Sequence, residues 1–224
     1  MTMPNTSSIL GRLYWIADPS CFQNQDTFLH TVDTAIDHQI GLIQYRDKAA
    51  SKSERQTVTQ LIAQKTQHSN TQLIINDDLD LAHNLLQALK LSCGLHLGFN
   101  DSDIITANRR SPRPALIGAS CYANLERAIE ARSAGADYVS FGAFHPSKTK
   151  PEAKPAPLSI LTSARQRLDC PIVAIGGITP RNCLAILNAG ADIIAVAGAL
   201  NRAKHFSETL EAFKSCFNEF EKNT

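Results

Sequence analysis

The sequence contains no strong charge imbalance and no apolar run long enough to span a membrane. Lys and Arg number 22 against 21 Asp and Glu, so the chain offers no broad basic surface for a nucleic acid backbone or an anionic membrane. The longest apolar stretch, Ile193 to Leu200, is less than half of the roughly 20 residues that a membrane-spanning helix requires. We therefore expect neither a nucleic acid partner nor a membrane partner, and any anion site must be local.

The cysteines and the N-terminus show no pattern of a zinc site or of export. The sequence has no Cys-x-x-Cys pair and no histidine at zinc spacing. Met1 to Leu10 lack the basic and apolar segments of a secretory signal, and we interpret residues 1–10 as a flexible tail. Both observations predict a cytoplasmic protein, in which reduced and mostly buried thiols are the rule. The six cysteines are Cys21, Cys93, Cys121, Cys170, Cys183 and Cys216.

No composition break divides the chain, and its 224 residues match the roughly 200 to 250 residues that one α/β barrel occupies. Short apolar runs alternate with longer amphipathic stretches, a pattern typical of strand and helix units around a parallel sheet. Apolar residues recur at helical spacing in Asp26 to His38, Ser53 to Thr66, Leu79 to Leu89 and Leu125 to Ser133. Eight strands are predicted: Leu13 to Ile16, Ile40 to Tyr45, Gln72 to Ile75, Gly94 to Leu97, Leu116 to Ser120, Tyr138 to Phe141, Ile172 to Ile175 and Ile193 to Val196.

Eight strands with intervening helices could form either a closed barrel or an open doubly wound sheet. The dinucleotide fingerprint G-x-G-x-x-G, which marks many doubly wound sheets, is absent. Asp137 and Asp192 each follow the same Ala-Gly-Ala sequence between a helix and a strand, and glycine suits the left-handed position that closes a helix. This repeat indicates two equivalent units. We therefore predict an α/β protein with a single (β/α)8 barrel over residues 11–224.

The end of the second predicted strand carries side chains that suit a phosphate group. Gln44, Arg46 and Lys48 alternate along an extended segment, so we expect their side chains to point the same way. Arginine offers bidentate geometry and lysine a point charge to a phosphate or diphosphate. The alternative is an ordinary strand end with solvated charges, and this segment alone does not decide between the two.

The third and fourth predicted strands are followed by acidic residues. Asn76 and Asp77 come directly after the third strand, where Asp78 is expected to cap the next helix. Asp101 follows the fourth strand, and two carboxylates from neighbouring strand ends could bind Mg2+, although Asp101 could instead be a helix cap. For His96, a buried, hydrogen-bonded ring inside the barrel is favoured over a role as a ligand.

Two further loops have compositions that suit the catalytic face of a barrel. The segment Pro146 to Pro157 holds four prolines and three lysines, so it cannot be a helix or a central strand. Loops after strands lie on the catalytic face of such barrels, and we predict that this one is a lid. Glycines follow the seventh and eighth strands at Gly176, Gly177 and Gly198, where backbone N–H groups could close on a phosphate.

Six blocks of the sequence, taken in order, resemble thiamine-phosphate synthases over Leu13 to Leu200. The resemblance implies a transferase that joins a hydroxymethylpyrimidine diphosphate to a thiazole phosphate, and gives thiamine phosphate and pyrophosphate. It also implies Mg2+ as cofactor and needs no Ser-His-Asp set. The blocks are Gln44-Tyr45-Arg46-Asp47-Lys48, Ile75-Asn76-Asp77, Gly94-Leu95-His96-Leu97-Gly98 with Asp101, Gly118-Ala119-Ser120, Pro146-Ser147-Lys148-Thr149-Lys150 and Gly176-Gly177-Ile178.

The resemblance implies a role for each matching residue. Asp77 and Asp101 would hold Mg2+. The residues that would act on the leaving diphosphate as catalytic groups are Arg46, Lys48, Ser120 and Lys150. Those that would bind the pyrimidine diphosphate are Gln44, Tyr45, Arg46, Asp47, Lys48, Asn76, Ser120 and Lys150. Those that would bind the thiazole phosphate are Ser147, Thr149, Gly177, Ala197 and Gly198, and Lys148 in the same loop would also contact substrate.

Three positions depart from the family pattern. Phe99 stands where the family usually has glutamine, Gly198 where it has serine, and His145 where an apolar or aromatic residue is more usual. The change to Phe99 removes an amide near the metal. The change to Gly198 removes a hydroxyl near the thiazole phosphate, although backbone donors would survive it. The departures concern affinity for the metal and for the thiazole phosphate.

Two alternative functions stay open. One is a thiazole tautomerase, an isomerase on the same barrel, and the other is a catalytically silent barrel that binds thiamine precursors or a protein partner. Asp77 and Asp101, kept together with Arg46 and Lys150, argue against the tautomerase because an isomerase has no pyrophosphate to release. The sequence leaves open whether the chain forms a homo-oligomer.

Overall fold

Eight parallel strands close into a barrel in the computed structural model, which describes residues 9–98, 104–146 and 155–223. Each strand pairs with its neighbour in chain order, and the eighth pairs with the first. The predicted (β/α)8 barrel is therefore confirmed, and the open sheet is excluded. The strands are β1 (Leu13–Ala17), β2 (Leu42–Tyr45), β3 (Gln72–Asn76), β4 (Gly94–Leu97), β5 (Ile117–Tyr122), β6 (Tyr138–Gly142), β7 (Ile172–Ile175) and β8 (Ile193–Val196).

Helices follow the strands along the described chain and surround the barrel. The strand β2 starts at Leu42, two residues later than predicted, because Ile40 still belongs to the turn after the first helix and its N–H donates to the carbonyl of Ala35 at 3.3 Å. The helices are α1 (Gln25–Asp37), α2 (Lys52–Thr66), α3 (Leu79–Gln87), α4 (Ile104–Arg109), α5 (Leu125–Ser133), α6 (Ser159–Arg167), α7 (Cys183–Asn188), α8 (Gly198–Asn201) and α9 (Phe206–Lys222).

The repeated Ala-Gly-Ala-Asp sequence has the same structural role at two helix–strand junctions, between α5 and β6 and between α7 and β8. Gly135 and Gly190 have φ angles of 104° and 114°, in the left-handed region that glycine adopts without strain. The carboxylates of Asp137 and Asp192 each accept the N–H of the first residue of the preceding strand, at 2.7 Å in both cases. The two segments are therefore equivalent strand–helix units, as the repeat predicts.

Apolar side chains pack in two layers, one inside the barrel and one between the barrel and the helices. In β3, Ile74 lies in the interior while Leu73 and Ile75 pack toward the helices, as the two-residue period of a strand requires. Because both faces of the sheet are covered, its strands appear in the sequence as continuous apolar runs. The interior layer contains Tyr14, Ile16, Leu42, Ile74, Leu116, Tyr138, Val173, Ile193 and Ala195.

The folded part of the chain begins earlier than the predicted tail allows. Ile9–Arg12 forms a 3-10 helix that packs against α9, and Leu10 is buried. The barrel domain therefore includes Ile9 and Leu10, which the sequence assigns to the tail, while residues 1–8 lie outside the described residues. In the described part of the chain, none of the helices has the length and apolar character that crossing a membrane would take.

One pair of cysteines differs from the prediction of reduced thiols. Cys183 and Cys216 form a disulfide, because α7 and α9 pack side by side and bring together residues 33 positions apart. Burial raises the pKa of the Cys93 and Cys121 thiols to about 12, so neither is a ready nucleophile or metal ligand. The cysteines with free thiols are Cys21, which is exposed, and Cys93, Cys121 and Cys170, which are buried.

Candidate active site

Five polar side chains form a continuous set of hydrogen bonds across the barrel interior. Gln44 Nε2 donates to the hydroxyl of Tyr14 at 2.6 Å, and that hydroxyl lies 3.1 Å from the hydroxyl of Tyr138. The Tyr138 hydroxyl lies 3.0 Å from His96 Nδ1, and His96 Nε2 lies 3.0 Å from Ser120 Oγ. We call these five residues the interior hydrogen-bond chain. The prediction that His96 is a buried, hydrogen-bonded ring is confirmed.

Burial keeps the interior hydrogen-bond chain uncharged. The loss of water around His96 lowers its pKa to about 4, because a low-dielectric interior disfavours the charged imidazolium. Burial likewise raises the pKa of Tyr14 and of Tyr138. At neutral pH His96 is therefore a neutral imidazole that can orient other groups but cannot serve as a cation for a phosphate.

Ser120, a member of the interior hydrogen-bond chain, lies beside a β-bulge. The register of β5 against β6 shifts between Ser120 and Tyr122, and such bulges commonly redirect a side chain next to an active site. Ser120 is half-buried, whereas its partner His96 is 8% exposed. Ser120 is thus the end of the interior hydrogen-bond chain that lies closest to solvent.

Asp77 has a fixed orientation directly after β3. Its φ angle is 60°, in the left-handed region that few residues other than glycine adopt, and its N–H donates to the carbonyl of His96 at 2.9 Å. Its carboxylate accepts from the amide of Asn76 at 2.7 Å and from the N–H of Gly98 at 3.1 Å. These donors orient both carboxylate oxygens. A carboxylate is the hard oxygen ligand that Mg2+ prefers, so this residue fits the predicted metal role.

A cavity of about 620 Å³ opens beside the barrel mouth, among the ends of β2 and β3 and the helices α2 and α3. We call it the rim cavity, and its lining includes Asp47, Lys48, Arg55, Asn76, Asp77 and Arg110. Five residues of the predicted site, Tyr45 included, are therefore brought together here, and Arg46 is not among the described residues that line the cavity. Gln44 contacts Tyr14 in the barrel interior, whereas Lys48 lies beyond the end of β2 and lines the rim cavity, so these two side chains do not point the same way.

Asp47 and Tyr45 shape the loop that carries Lys48. Asp47 Oδ1 accepts the N–H groups of Ala49 and Ala50 at 2.9 and 3.0 Å, and the Tyr45 hydroxyl lies 3.5 Å from Asp47 Oδ2. Burial, reinforced by the nearby Asp47 charge, raises the pKa of Tyr45. Asp47 therefore supports the loop before α2, and its direct contact with substrate stays a prediction.

Two arginines that the sequence interpretation missed line the rim cavity. Arg55 of α2 lies 3.6 Å from Asp78, and Arg110, just after α4, lies 3.5 Å from Asp80. Both pairs are partly exposed, so they add little to stability. Each arginine is paired with an aspartate that lines the same cavity, so the two pairs add no net charge to that of Lys48. Asp78 also accepts the N–H at the start of α3, which confirms its predicted capping role.

The loops after β7 and β8 are neighbours at the mouth. Gly177 and Ala197 each lie two residues beyond the last residue pair of the β7 and β8 ladder, and α8 begins at Gly198. Gly177 has a φ angle of 62°, and a Cβ atom there would lie 2.7 Å from the Cβ of His145. Only glycine fits such a position without strain. The two loops predicted to hold a phosphate are thus adjacent.

A buried amide attaches α8 to the first strand. Trp15 Nε1 donates to Asn201 Oδ1 at 2.7 Å, and Asn201 Nδ2 donates to the carbonyl of Ile16 at 2.9 Å. Asn201 is 8% exposed, so both hydrogen bonds are shielded from water. They hold the short helix after β8 in a fixed position.

Several predicted site residues lie outside the described residues. In the described ranges 9–98, 104–146 and 155–223, no group of three or more His, Cys, Asp or Glu side chains is arranged to hold a metal ion. Asp77 is the member of the predicted Mg2+ pair that the structure locates. The residues outside the described ranges are Phe99, Asp101, Ser147, Lys148, Thr149 and Lys150, and most of the predicted lid falls there too.

Comparison with known proteins identifies a family. A family model described as thiamine monophosphate synthase matches residues 13–200. The chain belongs to the thiamine monophosphate synthase family. A thiamine-phosphate synthase from Nitrosococcus oceani is 42% identical over 212 residues, which cover 95% of this chain and 94% of that protein. A protein of the same name from Saccharophagus degradans is 41% identical over 188 residues, which cover 84% of each chain.

Solved structures agree with membership in the thiamine monophosphate synthase family. A thiamine phosphate pyrophosphorylase from Pyrococcus furiosus has a TM-score of 0.81 at 29% identity, and the match covers 96% of this chain and 99% of that one. A 3-hexulose-6-phosphate synthase, with a TM-score of 0.66 at 15% identity over 92% of this chain and 99% of that one, shares the fold alone. The resemblance predicted over Leu13 to Leu200 and the expectation of a transferase are confirmed.

The hydrogen-bond partners that link His96 to Tyr138 and Tyr14 could not be identified from the sequence. Tyr14 and Tyr138 lie in apolar strand runs and have the appearance of ordinary core residues. The available signal is that a tyrosine in a barrel core needs a hydrogen-bond partner for its hydroxyl. That signal predicts a polar contact but does not say with which residue.

Proposed function

We propose that this protein is a thiamine-phosphate synthase. It joins 4-amino-2-methyl-5-hydroxymethylpyrimidine diphosphate to 4-methyl-5-(2-phosphoethyl)thiazole, and the products are thiamine phosphate and pyrophosphate. The observation that carries the proposal is the oriented Asp77 carboxylate after β3, which shares the rim cavity with Lys48. An acidic group and a cation at one strand edge suit a metal-bound diphosphate, and the family match makes this pyrimidine diphosphate the candidate.

We propose Asp77 and Asp101 as the residues that hold Mg2+. Asp77 fits this role because Asn76 and Gly98 fix both of its oxygens, and an oriented carboxylate needs little rearrangement to accept a cation. When bound, Mg2+ would neutralise negative charge on the diphosphate and make it a better leaving group.

The reaction needs stabilisation of a leaving group rather than a protein nucleophile. The bond between the pyrimidine methylene carbon and the diphosphate oxygen breaks, its electron pair leaves with pyrophosphate, and the thiazole nitrogen forms the new bond to carbon. Arg46, Lys48 and Lys150 stabilise the developing negative charge in this proposal, and Ser120 adds a hydrogen bond. This proposal is consistent with the neutral state of His96, because the departure of pyrophosphate does not need the buried ring as an acid.

The remaining predicted residues hold the two substrates in place. Gln44, Tyr45, Asp47 and Asn76 are proposed at the pyrimidine diphosphate. The thiazole phosphate is proposed to bind the backbone of the loops after β7 and β8, whose adjacency supports the assignment. Its proposed contacts are Gly177, Ala197 and Gly198, with Ser147, Lys148 and Thr149 of the loop after β6.

We also propose that the protein works on free phosphorylated substrates in the cytoplasm, where the Cys183–Cys216 disulfide would be an exception beside four free cysteines. Its net charge of +1 supports the absence of a nucleic acid or membrane partner, because binding to those polyanions requires a basic surface.

Product analysis tests the proposal. Purified protein with both phosphorylated substrates and Mg2+ should form thiamine phosphate and pyrophosphate in equal amounts, and removal of Mg2+ with a chelator should stop the reaction. A tautomerase or a silent barrel would release no pyrophosphate. Absence of both products at saturating substrate, in conditions where an established synthase works, would refute the assignment.

A matched pair of variants tests the role of Asp77. Asp77→Asn keeps the size of the side chain but removes the charge, and we expect kcat/KM to fall on the order of 100-fold with a higher Mg2+ requirement. Glu219→Gln changes an exposed carboxylate on α9 and should leave the kinetics unchanged. Equal kinetics in the two variants would show that Asp77 is not part of the active site.

A further inference from the structure

With the amide nitrogen of Gln44 facing Tyr14, the interior hydrogen-bond chain has one proton order that satisfies all of its members. Each tyrosine hydroxyl has a single proton to donate, and a neutral histidine carries a proton on one ring nitrogen only. Gln44 donates to Tyr14, so Tyr14 must place its own proton on a different acceptor. The acceptor next to it is the hydroxyl of Tyr138, 3.1 Å away.

The same order continues to His96 and Ser120. Tyr138 accepts from Tyr14 and therefore donates to His96 Nδ1 at 3.0 Å. With a lone pair on Nδ1, the ring proton is on Nε2, and it is donated to Ser120 Oγ at 3.0 Å. In the reverse order, Tyr14 would accept from both neighbours and keep an undonated proton at a site that is 1% exposed. A buried donor without an acceptor is costly.

We propose that Tyr138 is a positioning residue that fixes His96 as the Nε2–H tautomer and thereby makes Ser120 a hydrogen-bond donor toward the barrel mouth. The Ser120 oxygen accepts from His96, so its own proton is available to a group in the mouth. A diphosphate oxygen can only accept, and a hydroxyl with this polarity suits it. The last step, from Ser120 to diphosphate, rests on the proposed function, whereas the tautomer does not.

Packing holds Tyr138 where this role requires it. Its ring stacks on the ring of His96 with centroids 5.6 Å apart and an angle of 20° between the planes, and it meets Tyr14 edge-on at 6.1 Å and 82°. A methyl group on Gly118 would overlap the ring and the hydroxyl of Tyr138. The glycine therefore makes room for the tyrosine, whose hydroxyl has little freedom to choose other partners.

Nitrogen NMR of the histidine rings tests the tautomer directly. In uniformly 15N-labelled protein at pH 7, we expect His96 to show a protonated Nε2 and an unprotonated Nδ1, and His96→Gln identifies its signals among the seven histidines. In Tyr138→Phe, which keeps the ring but lacks the hydroxyl, both shifts should move toward the average of the two tautomers. Tyr122→Phe, at an exposed tyrosine, should change neither. A protonated Nδ1 in the unmutated protein would overturn the proposal.

A double-mutant cycle tests the effect on Ser120. Tyr138→Phe should lower kcat about three- to tenfold, the worth of one hydrogen bond, and should add nothing further when Ser120→Ala is already present. Effects that multiply would show that Tyr138 acts independently of Ser120, against the proposal. If the unmutated protein forms no thiamine phosphate while NMR finds the Nε2 proton, the proposed function fails and the tautomer assignment stands. Circular dichroism confirms that each variant is folded.

Discussion

Acidification should destabilise the protein through His96. Burial lowers the pKa of His96 in the folded state to about 4, while a histidine in an unfolded chain has a pKa of about 6.5. Between these two values the unfolded chain binds a proton that the folded protein does not bind. The free energy of unfolding therefore falls as the pH falls through this window, and above pH ~6.5 the contribution is fully present.

The size of the effect follows from the same shift. One pKa unit corresponds to about 1.4 kcal/mol, so the complete loss is about 3 kcal/mol, of which about 2 kcal/mol falls between pH ~6.5 and pH ~4.5. Small domains have free energies of unfolding of about 5 to 15 kcal/mol. A loss of this size is therefore measurable against the whole stability of the barrel.

Urea unfolding at several pH values isolates the contribution of His96 from that of the carboxylates. We expect the free energy of unfolding of His96→Gln to fall by about 2 kcal/mol less than that of the unmutated protein between pH ~6.5 and pH ~4.5. His68→Gln, at an exposed histidine after α2, should follow the unmutated protein. Parallel losses in the unmutated protein and in His96→Gln would refute the reasoning.

Three substitutions test other contacts of the site. Gly118→Ala should cost about 1 to 3 kcal/mol in urea unfolding, because the new methyl overlaps Tyr138; unchanged stability would contradict that overlap. Gly177→Ala should raise KM for the phosphorylated thiazole, since φ is 62° and the new Cβ crowds His145; an unchanged KM would show that this loop does not bind the thiazole phosphate. Asn201→Ala leaves an indole N–H buried without its acceptor and should lower the free energy of unfolding by about 1 to 3 kcal/mol, whereas a smaller loss would indicate that water replaces the amide.

The barrel could be predicted because its strands are buried on both faces. Such strands are continuous apolar runs, and they stand apart from the amphipathic helices between them. The position of the polar residues that end these runs, such as Asp77 and Asp78, could also be predicted, since the carboxyl ends of parallel strands share one edge. The burial of His96 followed from its place between two apolar residues of β4.

The contacts that complete the site could not be predicted from one sequence. The hydrogen bonds of Tyr14 and Tyr138 cross the barrel and depend on strand register, which the strand pattern does not give. Arg55 lies on an ordinary amphipathic helix, and its place in the rim cavity depends on how α2 packs against α3. The Cys183 and Cys216 pair has the same origin, because helix packing brings the two residues together.

The most direct test of the account is a crystal structure with Mg2+, pyrophosphate and thiamine phosphate bound. We predict that Asp77 and the pyrophosphate bind the same ion and that Lys48 lies beside that pyrophosphate. A magnesium pyrophosphate bound elsewhere on the barrel, without contact to Asp77, would contradict the central claim.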